Sequence, residues 1–133
     1  MEEFSLPVKV YIEDTDAGGI VYHANYLKYM ERSRTEFITR LGYDKPATLE
    51  NSLLLVVHSM KIDFVQAAVL GEELNVFTRV SKVARSYVEF EQVVKRADVP
   101  LCRADVKVAC VGKREMRPTA MPQGLRSALQ AVL

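Results

Sequence analysis

The chain has 133 residues, 49% of them hydrophobic and 26% charged, a balance that excludes a disordered segment, a collagen-like chain and a disulfide scaffold. Eighteen Lys and Arg stand against 17 Asp and Glu, a formal net charge of +1, with no basic tail to follow a phosphate backbone, so nucleic acid is not an expected partner. At roughly 150 residues per domain, 1–133 is expected to form a single domain around one core.

The start, Met1-Glu2-Glu3-Phe4-Ser5, lacks the positive and apolar regions of a secretory signal. No apolar run nears the ~20 residues that span a bilayer, so a cytoplasmic protein without membrane insertion is expected. From Pro7 to Glu13 the pattern alternates, with Val8, Val10 and Ile12 on one side and Lys9, Tyr11 and Glu13 on the other. This predicts a strand with one buried face. It ends at Asp14-Thr15-Asp16-Ala17-Gly18-Gly19, a run of turn formers. Leu27, Met30, Phe37, Ile38 and Leu41 then recur at helical spacing, and Gly42 stands where helices close. One long amphipathic helix is predicted from about His23 or Asn25 to Leu41.

A polar connection at Asp44-Lys45-Pro46 leads to a strand from Leu53 to Phe64. Its first half, through Val57, is apolar on both faces. In a chain with one long helix to cover a sheet, such a strand predicts a subunit interface, and therefore a homodimer or homotetramer. Its second half alternates as Met60, Ile62 and Phe64 against Lys61 and Asp63. Gly71-Glu72 turns the chain, and strands are predicted at Leu74 to Val83, Tyr87 to Lys95 and Leu101 to Val111, broken by Ala84-Arg85-Ser86 and Ala97-Asp98-Val99-Pro100. Strand, helix, then four strands favours an α+β fold with an antiparallel sheet over βαβ units. Pro122 opens a last short helix carrying Leu125, Leu129 and Val132. Cys102 and Cys110 share one predicted strand eight positions apart, about 26 Å at ~3.3 Å per residue. They are too distant for a disulfide, and neither has a ligand-spaced partner for zinc.

Chemistry concentrates between Glu13 and Tyr26. A calcium loop opening at Asp14 would need a Glu where Asn25 stands. Gly18-Gly19 matches no phosphate-loop pattern, and the G-x-S-x-G of a serine hydrolase is absent. What remains is a carboxylate beside a helix amino terminus. The unpaired N–H groups and partial positive charge of a helix start can hold an oxyanion, while the carboxylate attacks a carbonyl or deprotonates the water that does. That arrangement suits acyl transfer from a thioester, whose thiolate leaves without strong acid assistance. The bland alternative is that Asp14 and Asp16 cap the turn and the helix.

The run Asp14-Thr15-Asp16-Ala17-Gly18-Gly19-Ile20-Val21-Tyr22-His23-Ala24-Asn25-Tyr26 closely resembles the signature of hotdog-fold acyl-CoA thioesterases of the 4-hydroxybenzoyl-CoA thioesterase class, in particular their YbgC-like, Tol-Pal-associated branch. Glu31-Arg32-Ser33-Arg34-Thr35-Glu36, the strand Val57 to Phe64, and Met116-Arg117-Pro118-Thr119-Ala120-Met121-Pro122 extend the resemblance over nearly the whole chain. It implies a hotdog fold, in which a curved antiparallel sheet of about five strands wraps the long helix. It also implies hydrolysis of a short- or medium-chain acyl-CoA without metal or organic cofactor. Asp16 is implied as nucleophile or general base, and the His23 N–H as the carbonyl site. The His23 imidazole is a candidate to orient water or Asp16, although a lone histidine is more often structural. Gly19, Tyr22 and Asn25 are implied to shape the pocket, whereas Tyr26 reads equally well as a core aromatic and Asp14 as a cap.

In the same comparison Arg85 and Ser86 fall near the connection that touches CoA phosphates, with Lys113 and Arg114 as further candidates. Each of these cations is otherwise a solvated surface charge. Val57, His58 and Ser59 are implied to face the neighbouring subunit's site, although a satisfied buried histidine is the plainer reading of His58. Two other functions fit the same residues: hydrolysis of thioesters carried by acyl carrier protein, and a non-catalytic acyl-binding role beside the Tol-Pal or phospholipid machinery. Hotdog dehydratases use a different site motif.

Overall fold

The computed structural model describes residues 2–43, 49 and 52–133. The connection expected at Asp44-Lys45-Pro46 lies outside them. Strand β1 (Glu3–Lys9) and a one-turn 3-10 segment (Ile12–Asp14) precede helix α1 (His23–Arg40). Strands β2 (Leu53–Phe64), β3 (Glu73–Val83), β4 (Tyr87–Arg96) and β5 (Val99–Gly112) and helix α2 (Gln123–Ala131) follow. The strands form one antiparallel sheet in the order β1-β3-β4-β5-β2. Helix α1 packs on β1, β3 and β4. This is the α+β arrangement expected from the sequence, with β1 and β2 at the edges.

The alternation of the strands supplies the covered face. Val76, Thr78 and Val80 of β3 stand opposite Val94, Gln92 and Phe90 of β4, and these stand opposite Cys102, Ala104 and Val106 of β5. All are buried, and Tyr26, Tyr29, Met30, Phe37 and Ile38 of α1 join them in one core. A polar seam crosses this core. Ser33 Oγ and Thr78 Oγ1 are 2.7 Å apart, and Gln92 Nε2 donates to the Met30 carbonyl at 2.9 Å and to Thr78 Oγ1 at 2.8 Å. Arg34 donates to Gln92 Oε1 at 2.9 Å. Each bond satisfies a group that would be costly to bury alone, and together they fix the helix on the sheet. The helix closes as expected, with Gly42 at a φ of 103°.

Three expectations are corrected. The first strand is Glu3–Lys9 rather than Pro7 to Glu13, and Ile12, expected inside, is 76% exposed. The cause is Asp14, whose Oδ2 accepts the Tyr11 N–H at 2.9 Å and draws the chain into the 3-10 turn. Phe4, outside the predicted strand, is buried and stacks on Phe37. The expected break at Ala97 to Pro100 is narrower: Ala97, at a φ of 52°, turns the chain, and Val99 and Pro100 already pair with Arg96 and Lys95. Pro100 is tolerated there because β2 reaches only to Cys102 on the other flank of β5.

The third correction concerns β2. Its register against β5 slips between Val57 and Ser59, leaving His58 as the extra residue of a bulge. Leu53, Leu55 and Val57 before the slip therefore share one face with Met60, Ile62 and Phe64 after it, because their partners are Gly112, Cys110, Val108, Val106, Ala104 and Cys102. Only Leu54 and Val56 of the apolar run look the other way. His58 is exposed rather than buried, with Nδ1 at 3.3 Å from Ser59 Oγ.

Candidate active site

The segment between β1 and α1 is bound to the chain on both sides. Thr15 pairs with Val21, Ile20 pairs with Val69, and the Val21 N–H donates to the Ala68 carbonyl at 2.9 Å. Inside this frame the Asp16 N–H donates to the Ile20 carbonyl at 2.9 Å, and Asp16 Oδ1 accepts the Gly18 N–H at 2.8 Å. A short Asx turn thus holds the carboxylate, and Gly19, at a φ of 79°, completes a bend that a side chain would strain. Asp16 itself is exposed. One carboxylate oxygen has the Gly18 N–H as its partner.

Asp14 does different work. It is 4% exposed, its Oδ1 accepts a bond from Asn25 Nδ2 at 2.9 Å, and its carbonyl accepts the Tyr22 N–H at 2.9 Å. It binds the loop to the helix start through the Asn25 side chain rather than by capping a helix N–H, although it does accept the Tyr11 N–H of the 3-10 turn. Tyr29 Oη is buried beside it without a partner at hydrogen-bonding geometry. Burial, and secondarily the Asp14 carboxylate, hold that phenol well above its ordinary pKa.

The helix start is unusual in composition. Its N-cap is Tyr22, whose side chain makes no capping bond, although Ser, Thr, Asp or Asn are the usual residues there. Tyr22 and His23 are exposed, so the N–H groups and positive dipole end of α1 open onto the surface that carries Asp16. Tyr22 and His23 have ring centroids 4.6 Å apart, and Phe64 stands edge-on to His23 at 6.0 Å and tilted against Tyr26 at 5.8 Å. Tyr26 is a core aromatic whose Oη accepts the Ala68 N–H at 3.0 Å. Phe64 escaped the sequence reading. Its only signal was its phase after the bulge, which puts it on the helix side of an edge strand.

Arg85 and Ser86 do not join this group within the chain. They form the β3–β4 connection, where the Arg85 and Ser86 carbonyls accept the N–H groups of Met121 and Cys110. Lys113 lies at the same end, its N–H donating to the Ser52 carbonyl at 2.8 Å. That is the Leu53 end of β2, whereas His23 meets the Phe64 end. Along β5, the eight positions from Cys110, whose N–H the Ser86 carbonyl accepts, to Cys102, opposite Phe64, span about 26 Å at ~3.3 Å per residue. Val57, His58 and Ser59 lie between them, exposed on the edge strand. Among the described residues, no three His, Cys, Asp or Glu side chains are grouped to hold a metal ion. No described helix is long and apolar enough to cross a membrane.

Residues 10–129 match the thioesterase-like superfamily. The chain is 46% identical over 126 residues to the acyl-CoA thioesterase YbgC of Haemophilus influenzae, covering 94% of this chain and 93% of that one. It is 35% identical over 123 residues to the acyl-CoA thioester hydrolase YbgC of Escherichia coli, covering 92% of each. A probable thioesterase from Bartonella henselae superposes with a TM-score of 0.80 at 32% identity, over 90% of this chain and 98% of the other.

Proposed function

The chain belongs to the thioesterase-like superfamily, and we propose that it hydrolyses acyl-CoA thioesters to a carboxylic acid and free CoA at the mouth formed by the Asp16 loop and the start of α1. The observation that carries this is the pairing of an uncapped, exposed helix start with an exposed carboxylate on the adjoining loop. With the thioester carbonyl oxygen on the His23 N–H, the helix dipole stabilises the negative charge that develops there. Asp16 acts as nucleophile or general base: its oxygen, or a water it deprotonates, adds to the acyl carbon. The C–S bond then breaks and the thiolate leaves with the electron pair; where Asp16 itself has attacked, water hydrolyses the resulting anhydride, releasing the acid and restoring the carboxylate. The His23 imidazole orients the attacking group. Gly19, Tyr22 and Asn25 shape the mouth, Asn25 through Asp14. We infer that this single domain works without metal or organic cofactor and in the cytoplasm.

The separation along β2 between the helix start and the Arg85 loop has a simple resolution in a homodimer. Antiparallel pairing of two β2 edges places the Leu53 end of each strand toward the Phe64 end of the other. Arg85, Ser86, Lys113 and Arg114 of the partner subunit then lie on the side of the CoA phosphates, and its Val57, His58 and Ser59 border the mouth. Two such dimers would make the homotetramer. An acidic acyl carrier protein could present its thioester to the same cations, and matched acyl-CoA and acyl-carrier substrates separate the two activities by rate.

The test is a hydrolysis screen across acyl-CoA chain lengths, with Asp16→Asn as the blank. Its amide neither attacks nor accepts a proton, so kcat/KM should fall about 10²–10⁴-fold with the fold intact. An Asn variant keeping more than about a tenth of the activity would remove Asp16 from the chemistry. A wild-type protein that binds acyl-CoA but turns none over would favour the acyl-binding role instead.

A further inference from the structure

We propose that Phe64 is the specificity-determining residue for the first carbons of the acyl group. This rests on the thioesterase reading above and assigns one wall of its pocket. Phe64 is the last residue of β2, and its partner Cys102 is fully buried, so the ring stands on the helix side of the sheet. One side of the ring is packed on Tyr26 and His23, at 5.8 and 6.0 Å. The rest is open, for Phe64 is 48% exposed and Tyr22, across the His23 ring, is 46% exposed.

Large apolar side chains are not left half bare without cost, and two of them flanking one helix start make an apolar shelf beside it. The chemistry places the substrate on it. A carbonyl oxygen bound at the His23 N–H fixes the acyl carbon there, and the next two or three carbons extend no more than one side-chain length away. The ring of Phe64 lies at that distance from His23. The turn at Gly18-Gly19 carries the Asp16 carboxylate and leads to the part-exposed Ile20, whereas Tyr22 and Phe64 flank the His23 ring itself, so the acyl chain leaves the reacting carbon along the Phe64 side. An aromatic wall at this point favours a slim, unbranched acyl group and obstructs one that is bulky next to the carbonyl.

The experiment compares butyryl-CoA with benzoyl-CoA on the wild type, Phe64→Leu and Phe64→Ala. Removing the ring should raise the benzoyl-to-butyryl ratio of kcat/KM at least tenfold in Phe64→Ala, with a smaller rise in Phe64→Leu, which keeps the strand end packed. Binding of the same two thioesters to the Asp16→Asn and Asp16→Asn/Phe64→Ala proteins, by calorimetry, should shift in the same sense. A role confined to packing would lower both substrates by one common factor and leave both ratios unmoved, which overturns the proposal while the thioesterase reading stands. Failure of the wild type to hydrolyse any acyl-CoA in the chain-length screen would overturn both.

Discussion

Asn25 Nδ2 donates to Asp14 Oδ1 at 2.9 Å in a buried contact, and this bond joins the first turn of α1 to the loop that presents Asp16. The two groups proposed to act on one carbonyl, the helix start and the Asp16 carboxylate, thus owe their mutual placement to a third and fourth residue.

Asn25→Ala removes one of the bonds to a carboxylate that is 4% exposed. Leaving that charge short of a donor should cost about 1–3 kcal/mol of stability in urea denaturation. Asn25→Asp, nearly the same shape, sets a second carboxylate against Asp14 and should cost more than Asn25→Ala at pH 7. In both variants kcat should fall more than KM rises, since the helix start loses its tether while the CoA contacts remain. An Asn25→Ala protein within 0.5 kcal/mol of wild type would show that the bond contributes little.

Phosphate recognition should appear in KM rather than kcat. The Arg85 loop is remote from Asp16 within one chain, so its contacts hold the nucleotide end of CoA equally in ground and transition states. KM should rise with added salt while kcat moves little, and Arg85→Ala should raise KM several-fold and flatten that salt dependence. A KM indifferent to both would return Arg85, Lys113 and Arg114 to the solvated surface.

The alkaline side of the stability curve should be set by buried acids. Burial pushes the Cys102 thiol from an ordinary value of 9.0 up to about 12, and Tyr29 is raised as well. Both are neutral when folded and ionise more readily when unfolded. The stability they lend is complete below about pH 9 and is lost as pH rises from there toward 12. Urea midpoints should be level between pH 7 and 8.5 and fall steadily above 9, less so in Cys102→Ala than in wild type. The folded protein should also resist iodoacetamide at pH 8, since both cysteines are buried free thiols. Rapid labelling of Cys102 would contradict this placement.

The site was legible where chemistry is local. Asp16, His23 and the glycines are near neighbours in sequence, and turn formers followed by a helical period place them together with no knowledge of the sheet. Strands β3, β4 and β5 were readable, because alternation declares which face each one buries. Two features could not be read this way. Ile12 carries the strand's alternation, yet a single side-chain bond from Asp14 to the Tyr11 N–H overrides it. In β2 a one-residue bulge at His58 reverses the parity, so one continuous apolar face looks like two. Phe64 was read on its correct face with Met60 and Ile62, but its meeting with His23 follows from the fold rather than from sequence distance.

That bulge sharpens what is expected of the β2 edge. Leu53, Leu55 and Val57 lie on the helix side of the sheet, yet Leu53 and Leu55 are only half-buried and Val57 is 50% exposed. Among the described residues no strand pairs with the free edge of β2. An unpaired edge with apolar side chains along it invites a second copy. We expect wild type to be at least a dimer at micromolar concentration by light scattering. Val57→Glu places a charge on that strand without touching the site of its own chain, and should give a folded monomer with hydrolysis reduced at least tenfold. Because Arg85 of the partner subunit would supply the phosphate contacts, activity of the variant should recover in part as its concentration is raised and dimers re-form. A wild-type monomer, or a monomeric Val57→Glu protein with full turnover, would mean that one chain holds the whole site.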